Sequence, residues 1–295
     1  MKPREFAIDP AAYGLPTRDE LVSYRIWDNH FHGFLTNGNP IEQYEHNQFF
    51  VERMGIERSI SQDIGGTLDN PYDPYPYDDA ILKILERDKD RLSGRTPIDP
   101  TFPDKACAKI EKWIRDGPCI GIKYPGGIKH GVRCSHPNND PIMRLARDLG
   151  VHAYIHTWLK VGGNPRLPGG DNLETESTPM DVAELAKRFP DVPLICGHTG
   201  GDWELGIRAI RPHKNVLVEF AGSDPHSGMV DYAIKELGID RLVWGGHGPS
   251  RSYATELGKV LDADISKRDR MKIFGGNLRR ICAPIFQKKG LKLDV

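Results

Sequence analysis

Short apolar runs, many of them β-branched, alternate along the chain with segments whose apolar residues recur every three or four positions. The first pattern predicts buried strands and the second amphipathic helices. The strand candidates are Ile26–Phe31, Arg58–Gln62, Leu92–Pro97, Cys119–Tyr124, Val151–His156, Pro193–Gly197, Val216–Phe220 and Arg241–Trp244. The second and third of these carry the weakest pattern.

The helix signals lie between them. Asp140 before Pro141 reads as an N-cap and first-turn pair. Ile142, Leu145, Ala146 and Leu149 then share one face, and Gly150 stops the helix. Thr178-Pro179-Met180-Asp181 reads as a capping box, with Asp181 in place of the longer glutamate. Val182, Leu185, Ala186 and Phe189 form its stripe, and Val230, Ala233, Ile234 and Leu237 repeat the spacing before Gly238.

Strands alternating with helices predict a parallel sheet, because parallel neighbours need crossover connections. Eight such units close a single (β/α)₈ TIM barrel of the α/β class. That barrel takes residues 26–295, with 1–25 as an N-terminal extension. An open doubly wound sheet is the alternative, but no GxGxxG follows an early strand.

Composition changes this picture little. The chain has 295 residues, enough for one barrel, with 38% apolar and 27% charged residues. Forty basic residues against 41 acidic ones give a net charge of −1, which offers no argument for nucleic acid or an anionic membrane as partner. No stretch reaches the roughly 20 apolar residues of a membrane helix. The basic N-terminus lacks the apolar run of a secretory signal. Five cysteines, Cys107, Cys119, Cys134, Cys196 and Cys282, show no CxxC spacing and read as reduced thiols of a cytoplasmic chain. Two long connections, 63–78 and 158–177, are expected on the C-terminal face of the barrel, as lids or specificity loops or as plain surface insertions.

The candidate chemistry is imidazole at predicted strand ends. Strand one closes on Asp28-Asn29-His30-Phe31-His32, and alternation puts His30 and His32 on one face. Two neutral imidazoles aimed at one point suit a divalent metal. His156 ends strand five, His198 follows strand six in Gly197-His198-Thr199-Gly200-Gly201, and His247 follows strand eight in Gly245-Gly246-His247-Gly248-Pro249. A single strand-end histidine is more often structural than functional. The pair with three more on the face where barrels place chemistry is a stronger signal. His46, His130, His136, His152, His213 and His226 sit in helices, loops or off-register positions and read as structural.

With these residues the chain resembles the amidohydrolase superfamily. Within it the nearest pattern is the group that includes aminocarboxymuconate semialdehyde decarboxylase, γ-resorcylate decarboxylase and pyrone-dicarboxylate lactonase. The matching motifs are Asp28-Asn29-His30-Phe31-His32, Gly121-Ile122-Lys123, His156, Gly197-His198-Thr199-Gly200-Gly201 and Gly275-Gly276-Asn277-Leu278-Arg279-Arg280. The resemblance implies a (β/α)₈ barrel with one divalent metal, zinc first and manganese second. It implies His30, His32 and His156 as ligands, and His198 as an acid/base or a further ligand. It places Lys123 on substrate anions. Arg251, just after strand eight, reads equally as a contact for a substrate carboxylate or as a solvated loop charge, and Tyr124 and Asp28 are further candidates, for substrate binding and catalysis.

The sequence departs from that pattern where the last strand ends. Relatives carry an aspartate there that binds metal and takes a proton from water; here it is His247. An all-imidazole site leaves the full charge on the ion and favours anionic ligands. The base role then passes to His247 or His198. Glu219 and Asp224 are nearby carboxylates that could compensate; Asp224 before Pro225 reads as a turn residue. The first expectation for function is metal-assisted hydrolysis of a small lactone or amide. The second is non-oxidative decarboxylation, or hydration, of a carboxylated ring or enol acid. A third, of another class, is a ligand-binding pseudoenzyme. The partner in each case is a small molecule, a carboxylated one in the second reading, and a homo-oligomer stays open.

Overall fold

The computed structural model describes residues 10–13, 15–35, 38–126, 131–159, 173–222 and 228–293. Asp224, His130, His226 and most of the second long connection lie outside the described residues. Eight parallel strands form one sheet in sequence order: β1 (Ile26–Phe31), β2 (Ile56–Ser61), β3 (Leu92–Pro97), β4 (Gly121–Tyr124), β5 (His152–His156), β6 (Leu194–Gly197), β7 (Val216–Glu219) and β8 (Leu242–Val243). The first and last strands meet through Asn29 N–H, which donates to Trp244 C=O at 3.2 Å. The sheet therefore curls into the expected (β/α)₈ barrel.

The helices are α1 (Arg18–Ser23), α2 (Pro40–Arg53), α3 (Asp78–Arg87), α4 (Pro103–Ile110), α5 (Asn139–Leu149), α6 (Pro179–Arg188), α7 (Trp203–Ile210), α8 (Met229–Leu237), α9 (Tyr253–Leu261), α10 (Lys267–Met271) and α11 (Asn277–Lys288). Their buried stripes are the predicted ones: Val182, Leu185 and Ala186 in α6, and Val230, Ala233 and Leu237 in α8. Thr178 and Asp181 form the capping box, with Thr178 N–H donating to Asp181 Oδ2 at 2.9 Å. Gly150 ends α5 at φ +69°, the left-handed conformation that favours glycine. α5 itself starts earlier than predicted, at Asn139 with Asn138 as its cap, because the chain already turns through Pro137 and Asn138. Asp140 lies inside the first turn, and its Oδ1 is 3.2 Å from Arg188 Nε.

β2 begins two residues before the predicted Arg58. Arg58 hides the strand from a polarity reading, since its side chain is buried and its guanidinium donates to the carbonyls of Lys89, Asp90 and Leu92. β3 shows a deeper version of this. Arg95 is fully buried inside the barrel, where it donates to His152 Nε2 at 2.8 Å and to Asn29 O at 2.6 Å. That bond explains His152, which faces the interior but serves structure. No helix among the described residues is long and apolar enough to cross a membrane.

Candidate active site

Alternation along β1 sends Phe31 outward onto Tyr44 of α2, at a ring distance of 6.3 Å, and turns its two neighbours toward the barrel centre. His30 Nε2 and His32 Nε2 lie 2.8 Å apart. The His247 ring stands 4.2 Å from that of His30 and 5.0 Å from that of His32. The ligand-type atoms of His30, His32 and His247 all fall within 4.8 Å of one another. The structure brings His247 to the same pocket as His30 and His32.

The backbone that delivers His247 is unusual. Its φ is +51°, uncommon for a residue with a side chain, and the two glycines before it absorb close approaches. A Cβ on Gly245 would stand 2.2 Å from Glu219 Oε1, and one on Gly246 would stand 2.3 Å from the Tyr253 ring. Asp28 fastens this turn to β1. Its Oδ1 accepts from Gly246 N–H at 2.7 Å and from His30 N–H at 2.8 Å. The candidate catalytic aspartate is thus a brace between the first and last strands. Burial raises its carboxyl to about 6.

A carboxylate and a phenol orient the first histidine. Tyr154 Oη lies 2.8 Å from His30 Nδ1 and donates to Glu219 Oε2 at 3.0 Å, while Glu219 Oε1 lies 3.3 Å from the same nitrogen. His198 N–H also donates to Glu219 Oε2 at 3.0 Å. This fixes a tautomer with the His30 proton on Nδ1 and the lone pair of Nε2 turned toward His32 and His247. Burial holds His30 and His32 well below the ordinary imidazole value and brings His247 down to about 4. Three neutral imidazoles with converging lone pairs are the donor set a divalent cation takes. His32 Nδ1 is buried without a hydrogen-bond partner.

His156 stands in a second pair. Its Nδ1 is 3.1 Å from His198 Nε2, and its Nε2 is 2.9 Å from Glu176 Oε1. His198 Nδ1 meets the carbonyl of Ala221 in a short contact. The chain Glu176, His156, His198, Ala221 can hold and pass a proton. His156 lies outside the tight group formed by His30, His32 and His247, which differs from the ligand set that the motif comparison suggested.

Lys123 faces the same cavity. It is 1% exposed, its Nζ lies 4.0 Å from the centre of the Tyr154 ring, and among the described residues it forms no ion pair or hydrogen bond. Burial, then the nearby Arg95, brings its amine down to about 7. Its charge reaches His30, His32, His156, His198 and His247 alike. Tyr124, the next residue, points the other way by strand alternation, and its buried ring neighbours Cys134, Tyr72 and Cys107 rather than the imidazoles. Arg251 is exposed, and its side chain reaches the carbonyls of Ser250 and Gly222, both at 3.4 Å.

Tyr154, Glu176 and Asp63 escaped the sequence reading. Tyr154 was within reach of it, being two residues from His156 on the same face of β5. Asp63 follows β2, with one oxygen bonded to the Ser61 hydroxyl and the other buried without a partner. Burial raises it to about 6, and Lys123 and Tyr75 are among its charged or polar neighbours.

Comparison with known proteins adds to this geometry. A family model described as amidohydrolase matches residues 69–281. No curated protein matches the sequence. Among solved structures, 2,6-dihydroxybenzoate decarboxylase from Rhizobium is 16% identical with a TM-score of 0.63, covering 88% of this chain and 96% of that one. The 5-carboxyvanillate decarboxylase from Novosphingobium aromaticivorans, complexed with manganese and a nitrobenzoic acid, is 18% identical with a TM-score of 0.63, covering 81% and 79%. A dihydroxybenzoic acid decarboxylase from Polaromonas, with bound manganese and 2-nitroresorcinol, is 16% identical with a TM-score of 0.62, covering 85% and 91%. The likeness of fold, the eight-stranded barrel and a family match over most of its length lead to one conclusion: this chain belongs to the amidohydrolase family of enzymes.

Proposed function

We propose that the protein is a metal-dependent decarboxylase of a small carboxylated aromatic ring. The observation that carries this is Lys123, a buried amine without an ionic partner among the described residues, beside a cluster of neutral imidazoles. Such a site favours an anion. Hydrolysis in this family leans on an aspartate after the last strand to take a proton from water. Here that place holds His247, and an imidazole at about 4 is a weak base at neutral pH. The names of the three solved relatives, all decarboxylases, support the same choice.

His30, His32 and His247 would hold the metal. A bound divalent ion supplies Lewis acidity and an anchor for an anionic substrate oxygen. The manganese in two of the relatives supports that ion beside zinc.

The residues of the chain do the rest. Lys123 Nζ binds a carboxylate or phenolate oxygen. Burial keeps His198 neutral at rest, with Nδ1–H given to Ala221 O, so its Nε2 takes up the mobile proton from His156 and Glu176 only as it is handed on. That proton goes to the ring carbon bearing the carboxylate. The bond between that carbon and the carboxylate then breaks, its electron pair returns to the ring, and CO₂ leaves. His156 and Glu176 resupply the proton. The test is a substrate panel of hydroxybenzoates and lactones with the metal-loaded enzyme. Release of CO₂ with loss of one carboxylate supports the proposal; lactone opening with no CO₂ overturns it in favour of hydrolysis.

A further inference from the structure

Helix α9 packs behind the active site, and one of its turns buries two charges. Lys259 Nζ lies 2.9 Å from Glu256 Oε2, and the two side chains are 3% and 2% exposed. The Trp244 indole N–H donates to the Glu256 carbonyl at 2.9 Å, which ties this turn to the end of β8. Taking both charges out of water costs free energy, and an apolar pair of similar volume is often at least as stable. Stability therefore does not account for the pair.

Its contacts with the backbone beside the imidazoles do. Lys259 Nζ also donates to the Phe220 carbonyl at 2.9 Å. The Glu256 carboxyl group accepts from the Gly222 N–H. Both bonds fall on the stretch that follows β7, one on either side of Ala221. The Ala221 carbonyl accepts the Nδ1–H of His198. Ala221 C=O and Gly222 N–H belong to one planar, trans peptide group, so they point in opposite directions. Holding the N–H on Glu256 thus aims the C=O at His198. Hydrogen bonds in series polarise one another, and a carboxylate at one end makes the carbonyl a better acceptor at the other. The fit is close: Gly222 has φ +73°, and a Cβ on it would stand 3.1 Å from His198 Nδ1 and 2.6 Å from His247 Cδ2. A peptide turned over would face His198 with an N–H, which demands the other tautomer.

We propose that Glu256, paired with Lys259, is a positioning residue that holds His198 in its Nδ1–H tautomer through the Ala221–Gly222 peptide. Burial raises the Glu256 carboxyl, and Lys259, the Gly222 amide and Arg251 hold that rise back. His198 Nε2 keeps its lone pair, 3.1 Å from His156 Nδ1, which is the state that can take up a proton and hand it on. The consequence for turnover rests on the proton-carrying role given to His198 above; the tautomer does not.

The test is ¹⁵N NMR of zinc-loaded protein labelled at the histidine nitrogens, with His198 assigned by its loss in His198→Gln. In wild type Nδ1 should be protonated and Nε2 bare. Glu256→Leu with Lys259→Met removes both charges at similar volume and leaves no unpaired ion. There the proton should shift toward Nε2. In the same variant kcat for CO₂ release should fall about tenfold or more, while KM and zinc content stay within about twofold. Glu256→Gln with Lys259→Met keeps an acceptor for the Gly222 amide and should restore the tautomer and most of kcat. An Nε2–H tautomer in wild type overturns the inference whether or not the variants fold. So does a Glu256→Leu, Lys259→Met protein that folds, holds zinc and keeps the wild-type tautomer. A tautomer that shifts with no change in CO₂ release upholds the inference and removes His198 from the proton path.

Discussion

Replacing Lys123 by methionine separates what the site does from what it costs. A buried amine without a carboxylate partner destabilises the fold, because its charged form loses hydration on burial. Its value falls from 10.5 to about 7, and each unit corresponds to about 1.4 kcal/mol. The upper bound on the cost at pH 7 is thus about 5 kcal/mol. Relaxation around a neutral amine brings the expected gain for Lys123→Met to roughly 1–3 kcal/mol. The direction with pH follows from linkage. A lysine whose folded value is depressed gives the folded state its advantage above 10.5, and that advantage is lost as pH falls toward 7. Wild type should therefore gain on the variant between pH 7 and 10, and the gap should shrink to roughly 1 kcal/mol or less. Urea unfolding of both metal-free proteins at several pH values measures it. In the same variant KM for an anionic substrate should rise at least tenfold. A variant less stable than wild type at pH 7, or a gap that does not change with pH, would refute the reasoning.

Three further outcomes follow from the same geometry. Tyr154→Phe removes the hydroxyl that orients His30 and Glu219, so chelator competition should show metal affinity reduced about 10–100-fold; unchanged affinity removes Tyr154 from the site. His247→Ala should lower metal content and His247→Asp should restore it, both by elemental analysis; retention of full metal and activity in the alanine variant would show that His247 has no role. Asp63→Asn should flatten the loss of stability as pH rises through about 6, worth about 2–3 kcal/mol, because an acid raised by burial favours the fold only while protonated; identical melting profiles from pH 4 to 7 would contradict this.

The barrel was legible because period is a local property. β1 and β3 keep their predicted bounds, and the α6 capping box forms as its four residues suggest. β2 was misplaced because Arg58 is buried through carbonyl contacts from a loop about thirty residues away, and no local pattern reports that. The imidazoles at the strand ends were legible for the same reason as the strands. What orients them was less so. Glu219 and Tyr154 meet His30 only through barrel closure. Tyr124, a candidate substrate contact, follows Lys123 on β4, so alternation sends it away from the imidazoles and toward Cys134, Tyr72 and Cys107. Arg251 turns on its position in a connection, which sequence spacing does not define.

The central claim is decided by isotope release. Metal-loaded protein is incubated with hydroxybenzoates labelled with ¹³C in the carboxyl group, and ¹³CO₂ is followed by mass spectrometry before chelation, after it and after manganese or zinc is restored. The account predicts ¹³CO₂ that stops on chelation and resumes on reloading. Labelled CO₂ that is indifferent to the chelator, or its absence across the panel from protein retaining a stoichiometric ion, would contradict it.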